Sequence, residues 1–199
     1  DAPGAVYVFA HGAGADMNHV FMQNLSQHLF DVGVATLRYN FPYMDAGRGR
    51  PDPPGKLEGA VKSAIEMGKE LAGGIPLLAG GKSMGGRMTS QLLAKKPDAG
   101  VKGIAFVGFP LHQPGKPSTE RAAHLQQVQV PMLFLQGTRD NLANLDMMKE
   151  VAASLGNRAK LHIIDTADHG FAVLKRSGKS SEDVMSEIAQ TILSFGLDS

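Results

Sequence analysis

Short apolar segments alternate with amphipathic segments along the chain, and this alternation constrains the fold more than any other feature. The apolar segments have the length of buried strands, about 4 to 8 residues, and lie at residues 6–10, 34–39, 75–79, 101–107, 130–136 and 161–164. Strands that alternate with helices form a parallel sheet, because each strand is reached by a crossover that a helix fills. We therefore predict an α/β domain, with a mostly parallel sheet of about six strands flanked by helices and without a cap domain.

The segments between the strands carry the signals that start and end helices. In the first of them, Phe21, Leu25 and Leu29 recur every four residues and Gly33 follows, which predicts a helix over residues 18–32. Similar patterns predict helices at residues 57–71, 119–127 and 145–155, one that ends near residue 95, and a last one that starts with a capping signal at 180–183. The Gly- and Pro-rich stretches 42–55 and 109–117 are expected to be surface loops.

Composition excludes several classes of protein. The chain has 199 residues, of which 43% are hydrophobic and 20% charged, so we expect one globular domain over residues 1–199. The formal charge is +1 and no basic block occurs, so we expect no nucleic acid partner. No apolar run approaches the roughly 18 residues of a membrane span. Because cysteine is absent and no signal-peptide core follows Asp1, we expect a cytoplasmic protein without disulfides or thiolate chemistry, with a leader removed before Asp1 as the alternative.

The most informative motif is Gly81-Lys82-Ser83-Met84-Gly85, which fits the pattern G-x-S-x-G between a predicted strand and a predicted helix. In this context the pattern indicates a nucleophile elbow, a strained turn that projects a serine above the edge of the sheet. The residues two before and two after the serine must be small, and here both are glycine. The motif therefore nominates Ser83 as a nucleophile at the N-terminus of a helix, where free N–H groups favour negative charge.

Two nucleotide-binding patterns compete for the glycine-rich turns. Gly81-Lys82-Ser83 ends like a P-loop, but the first glycine of that pattern would fall on Pro76, and the residues between look like strand interior. Gly12-Ala13-Gly14 begins like a dinucleotide fingerprint, but Met17 stands at its last position, and the second strand ends without the acidic residue that would hold a ribose. Both patterns fail, so we predict no nucleotide cofactor.

The loop after the first strand, His11-Gly12-Ala13-Gly14, has a different use beside a nucleophilic serine. Small residues let backbone N–H groups approach a substrate oxygen, as in the oxyanion loops of serine hydrolases. We predict that the N–H groups of Ala13 and Met84 form the oxyanion hole, with Gly14 as the alternative to Ala13. His11 is expected to be structural.

A serine needs a base to take its proton, and the base needs an orienting carboxylate. Asp140 follows the fifth predicted strand and His169 follows the sixth, so the chain order is Ser83, Asp140, His169. This order is the one found on α/β-hydrolase sheets. We predict a triad of these residues, with Asp165 and Asp168 as alternative acids.

At these three motifs the chain resembles the α/β-hydrolase superfamily, from Val6 to the last helix. The sequences Gly81 to Arg87, Gln136 to Asp140 and Asp168 to Gly170 look like those of small dienelactone-hydrolase-like proteins, a group that includes related eukaryotic hydrolase-like domains. The resemblance implies a sheet core without a large cap and implies Ser83, Asp140 and His169 as nucleophile, acid and base. The dienelactone hydrolases proper use a cysteine nucleophile, which this chain lacks. The usual fold also has two further strands at the N-terminus, so we expect a minimal or upstream-truncated sheet.

We therefore expect a serine hydrolase that cleaves small carboxyl esters, with short acyl chains preferred, and that needs no metal or cofactor. The pocket is expected to have an apolar wall from loops 42–55 and 109–117, formed by Phe41, Tyr43, Met44, Phe109 and Leu111. Arg48 and Arg50 are expected to be solvated rather than to bind an acidic group. A non-catalytic binding module, an acyltransferase and a peptidase remain as alternatives, and the sequence leaves the oligomeric state open.

Overall fold

The chain folds around one parallel sheet of six strands. The computed structural model describes residues 3–198. The strands, in the spatial order β2-β1-β3-β4-β5-β6, all run parallel. Their bounds are β1 Ala5–Ala10, β2 Val34–Tyr39, β3 Leu77–Lys82, β4 Gly103–Val107, β5 Met132–Gly137 and β6 Ala159–Ile164. The predicted fold class is confirmed, and the carboxyl ends of all six strands meet at one edge.

Within the described part of the chain, six α-helices connect and cover the strands. They are α1 Val20–Asp31, α2 Pro42–Asp45, α3 Pro54–Ala72, α4 Met84–Lys95, α5 Leu145–Ser154 and α6 Ser181–Asp198. Three short 3-10 helices lie at Glu120–Gln127, Gly156–Arg158 and Lys175–Ser177. Ser180 and Asp183 cap α6 reciprocally, since the Asp183 N–H donates to the Ser180 hydroxyl and the Ser180 N–H donates to the Asp183 carboxylate. Among residues 3–198, every helix is too short or too polar to cross a lipid bilayer.

Two apolar layers bury the two faces of the sheet. Residues of α1 and α6, such as Leu25 and Ile188, pack with Tyr7 and Phe9 of β1 on one face. Residues of α3, α4 and α5 pack on the opposite face with Val8 and the other residues of β1 that point that way. The alternation of β1 side chains between two buried layers explains why its sequence is continuously apolar.

The structure corrects several predicted boundaries. β3 extends through the glycines to Lys82 instead of ending at residue 79, because Gly80 lets the β4 backbone come close: a Cβ there would lie 2.0 Å from the Ala105 carbonyl oxygen. The stretch 42–55 is not a continuous loop, since Pro42 starts α2 and Pro54 starts α3. Proline favours the first turn of a helix because its φ is already set and the N–H it lacks has no partner there. The segment predicted as a helix at 119–127 is a 3-10 helix.

Candidate active site

Ser83 lies in a sharp turn between β3 and α4, at the carboxyl edge of the sheet. Its backbone has φ 50° and ψ −116°, a conformation that non-glycine residues rarely adopt. The flanking glycines are required by the end of β1: a Cβ on Gly81 would lie 2.4 Å from the Ala10 carbonyl oxygen, and one on Gly85 would lie 2.6 Å from it. The geometry is that of a nucleophile elbow.

The side chains of Ser83, His169 and Asp140 form one hydrogen-bonded chain. His169 Nε2 lies 2.9 Å from Ser83 Oγ, and His169 Nδ1 lies 2.7 Å from Asp140 Oδ2. The Asp140 side chain is 1% exposed and that of His169 is 22% exposed, so the carboxylate is shielded while the imidazole reaches the surface cleft. With Nδ1–H donated to the carboxylate, Nε2 is left to accept the proton of the serine hydroxyl. The structure thus brings together the three residues nominated as a triad.

The other two candidate acids lie elsewhere in the same loop. Asp168 accepts the backbone N–H groups of Gly170 and Ala172 on its Oδ1, at 2.8 and 3.0 Å, so it shapes the turn that carries His169. Asp165 is exposed and contacts the Thr138 hydroxyl. Asp140 is the carboxylate that the imidazole contacts.

Gln136 begins one of the motifs noted in the sequence, where it was given no role, and in the structure it supports Asp140. Its Nε2 donates to Asp140 Oδ2 at 2.6 Å, and the Leu142 N–H donates to Oδ1 at 2.8 Å. Gln136 is fully buried near the end of β5, a strand that is otherwise apolar. A polar side chain at the buried end of a strand is the signal that could have identified it, since buried polar groups need partners.

The loop Gly12–Gly14 borders Ser83, as an oxyanion loop must. Ala13 is exposed and lines the cleft above Ser83, and Met84 is the first residue of α4. His11 is fully buried beneath them: it contacts the Gly12 carbonyl through Nδ1 at 2.8 Å and accepts the Phe41 N–H on Nε2 at 3.1 Å. Burial lowers the pKa of His11. The imidazole therefore joins the loop to the end of β2 as a neutral structural group, and hydrogen bonding to an oxyanion stays a prediction for Ala13 and Met84.

The cleft beside Ser83 has a volume of about 590 Å³ and a different wall from the one predicted. Phe41, Tyr43, Phe109 and Leu111 are at most 1% exposed and belong to the core, because α2 folds the start of the 42–55 stretch onto the domain. The cleft is lined instead by the loop after β1, the start of α1 and the triad loops, including His19, Val20, Phe21, Met22, Asn24, Lys82, Leu142 and Gly170. Met44 packs against the core, and Arg48 pairs with Asp52 at 2.9 Å.

A second serine–histidine pair lies outside this cleft. His124 Nε2 is 2.7 Å from Ser90 Oγ in the interior of α4, away from the strand ends. The Ser90 hydroxyl also lies 2.9 Å from the Arg87 carbonyl, and the second hydrogen-bond partner of His124 is the backbone of Arg121 instead of an orienting carboxylate. Burial, with the Arg87 guanidinium nearby, lowers the pKa of His124 to about 4. This pair is a structural contact between α4 and the 3-10 helix Glu120–Gln127.

Comparison with known proteins identifies the family. The chain matches the model of the alpha/beta hydrolase domain over residues 3–196. It therefore belongs to the alpha/beta hydrolase domain family, in agreement with the resemblance seen in its motifs.

Solved structures share the fold at low sequence identity. An α/β serine hydrolase without a lid from Xanthomonas campestris is 16% identical, with a TM-score of 0.74 over 98% of this chain and 84% of that one. A dienelactone hydrolase from Anabaena variabilis is 22% identical, with a TM-score of 0.72 over 97% and 85%. The Est1E protein from Butyrivibrio proteoclasticus, solved with ferulic acid bound, is 16% identical, with a TM-score of 0.71 over 97% and 89%. At these identities the likeness establishes the fold.

Proposed function

We propose that this protein is a serine hydrolase that cleaves carboxyl esters of small molecules, with Ser83 as the nucleophile. The observation that carries the proposal is the unbroken hydrogen-bonded chain from Ser83 Oγ through His169 to Asp140. A serine hydroxyl is a weak nucleophile until a base removes its proton, and this geometry supplies the base and its orienting acid.

In the first half of the reaction Ser83 Oγ attacks the ester carbonyl while His169 Nε2 takes the hydroxyl proton. Asp140 holds the Nδ1 proton and stabilises the imidazolium that forms. The tetrahedral oxyanion accepts hydrogen bonds from the N–H groups of Ala13 and Met84, each of which contributes about 100- to 1,000-fold in rate in comparable sites. The imidazolium then returns its proton to the leaving alkoxide, which departs as the alcohol and leaves an acyl-Ser83.

In the second half a water molecule replaces the alcohol. His169 Nε2 removes a proton from the water, the hydroxide attacks the acyl carbonyl, and the collapse of the intermediate returns the proton to Ser83 Oγ. The products are the carboxylic acid and the free enzyme. The proton transfers between Ser83 and His169 use a hydrogen bond of 2.9 Å, and Asp140 holds His169 through one of 2.7 Å.

The cleft supports a small ester with a short acyl chain. It is open to solvent and is flanked by the exposed Val20 and by the partly buried Phe21 and Leu142. An ester substrate also agrees with two structural neighbours, an esterase domain of a Rhodothermus marinus protein and the Anabaena dienelactone hydrolase. The dienelactone hydrolases proper use a cysteine nucleophile, whereas this chain contains no cysteine, which favours Ser83 in that role.

Covalent labelling with a fluorophosphonate tests the nucleophile. We expect the wild type to be labelled and the Ser83→Ala variant not to be, whereas Ser90→Ala, which removes the other histidine-paired serine, should be labelled like the wild type. A panel of nitrophenyl esters should then give a higher kcat/KM for acetate and butyrate than for palmitate. A folded wild type that resists labelling would refute the proposal and favour a binding module.

A further inference from the structure

A lysine of the nucleophile elbow reaches across the site to the loop that carries His169. Lys82 Nζ donates to the backbone carbonyl of His169 at 2.6 Å, although 87 residues separate them in the chain. Lys82 immediately precedes Ser83 at the end of β3, so one short segment supplies both the nucleophile and this contact. The ammonium and the serine hydroxyl thus hold His169 from two directions, one through its backbone and one through its imidazole.

Lys82 is partly exposed at the cleft, but its ammonium is flanked by aromatic rings. The rings of Phe21 and Phe171 have their centroids 5.6 and 5.4 Å from Nζ, within reach of a cation–π interaction. On a third side, a Cβ on Gly108 would lie 3.2 Å from Nζ and 3.5 Å from the Cε1 atom of His169. A lysine that is confined in this way loses rotamer freedom and hydration. Holding its charge here therefore costs free energy, which a lysine that faces solvent does not lose.

The histidine loop, residues 165–172, is otherwise anchored mainly on the side of the acid. Arg139 donates its backbone N–H to the Ala167 carbonyl at 2.9 Å, and the Thr166 N–H donates to the Thr138 hydroxyl at 2.8 Å. These contacts join the loop to the turn after β5. Two residues of the loop, Thr166 and Phe171, have positive φ values of 58° and 64°, so the loop holds a conformation that needs external support. Lys82 ties it to the elbow.

We infer that Lys82 is a positioning residue whose ammonium fixes the backbone of His169, so that the imidazole stays within hydrogen-bonding distance of the Ser83 hydroxyl. The inference rests on the proposed function of Ser83 as the nucleophile. Fixing the imidazole matters because a base that is displaced by about 1 Å can lose about 100-fold in rate. Lys82 does not touch the reacting atoms in this role.

The charge of Lys82 gives the inference a readout of its own. Burial lowers the pKa of Lys82 to about 8, while the nearby carboxylates of Asp140 and Asp168 oppose the shift. Two histidines line the same cleft as Lys82: His169, on the loop that also carries Asp168, and His19, just before α1. As the pH rises through about 8, the ammonium becomes an amine and the charge-assisted hydrogen bond to His169 weakens. The reactivity of Ser83 should fall in the same range.

The experiment measures the second-order rate of fluorophosphonate labelling in the wild type, Lys82→Met, Lys82→Arg and Lys102→Met. Lys102 is an exposed lysine just before β4, at the opposite edge of the sheet, and its replacement is the matched control. At pH 7.5 we expect Lys82→Met to react about 10- to 100-fold more slowly than the wild type. We expect Lys102→Met to react at the wild-type rate, and Lys82→Arg to recover most of the loss because arginine keeps the charge and stacks on aromatic rings.

The pH dependence from 7.5 to 9.5 completes the test. The rate of the wild type should fall with a midpoint near 8, whereas Lys82→Arg should show no such fall because its guanidinium stays charged. Equal rates for the wild type and Lys82→Met, or the same alkaline fall in the wild type and Lys82→Arg, would overturn the inference. The comparison with Lys82→Arg holds even if Lys82→Met does not fold. A wild type that is not labelled at all refutes the proposed function instead, so the two failures are distinct.

Discussion

Gln136 and His169 hydrogen-bond the same oxygen of Asp140, Oδ2, at 2.6 and 2.7 Å. The shared oxygen fixes the acid between two elements of the fold. Gln136 lies in β5, the strand that Asp140 follows, and His169 lies in the loop after β6. The amide sets the rotation of the carboxylate, and the carboxylate in turn sets the tautomer of the imidazole. Substitutions in this assembly, and in the elbow that it serves, should therefore have distinct effects on activity and stability.

Replacing Asp140 by Asn should reduce kcat by roughly 10⁴-fold, because an amide can donate to Nδ1 and stabilise the wrong tautomer of His169. Steady-state hydrolysis of a nitrophenyl ester measures the loss. Asp165→Asn is the matched control, since Asp165 lies on the same edge of the sheet without touching the imidazole, and it should keep nearly full activity. Equal losses in the two variants would remove Asp140 from the triad.

Replacing Gln136 by Leu should lower kcat at least about tenfold with little change in KM. A hydrogen bond to a charged group contributes about 1.5–3 kcal/mol, and 1.36 kcal/mol corresponds to a tenfold change in rate. The effect falls on kcat because Gln136 is buried behind the acid and does not line the cleft. The exposed Gln190→Leu serves as a control. A rise in KM at constant kcat would contradict a role behind Asp140.

Replacing Gly81 by Ala should destabilise the protein by roughly 1–3 kcal/mol or more, since the added Cβ would lie 2.4 Å from the Ala10 carbonyl oxygen. Gly59→Ala is the matched comparison: Gly59 lies inside α3, and a Cβ there would meet no atom within 4 Å, so the exchange should stabilise the helix by roughly 0.5–1 kcal/mol. Urea denaturation measures both. Similar free energies of unfolding for the two variants would show that the elbow is not tightly packed against β1.

The contribution of Lys82 to the free energy of unfolding should change with pH in the alkaline range. Its pKa is lowered from 10.5 to about 8 in the folded chain, so between these values the unfolded chain binds more protons at this position. Stability therefore rises with pH in that window. The free energy of unfolding of the wild type relative to Lys82→Met should increase by about 1 to 3 kcal/mol between pH 7.5 and pH 10.5.

Urea denaturation of both proteins at several pH values measures this difference. The comparison cancels the titration of the remaining lysines, which both proteins share. A difference that stays constant across the window would mean that Lys82 has an ordinary pKa in the folded protein.

The sequence determined the fold class and nominated the three residues that meet at the site. Both follow from local patterns: alternating apolar and amphipathic segments predict a parallel sheet, and residues that directly follow parallel strands share one edge. Ser83, Asp140 and His169 could be nominated because each stands just after a strand, so the topology alone brings them together.

Only the tertiary structure decided the walls and supports of the site. Phe41 and Tyr43 were expected in the cleft, but they are in the core, because α2 turns the chain inward after β2. The roles of Gln136 and Lys82 depend on contacts with residues from other elements, such as the bond from Lys82 Nζ to the carbonyl of His169 across 87 residues. A periodic pattern records which face of an element is buried, whereas the partner of a particular polar atom is set by how distant elements pack.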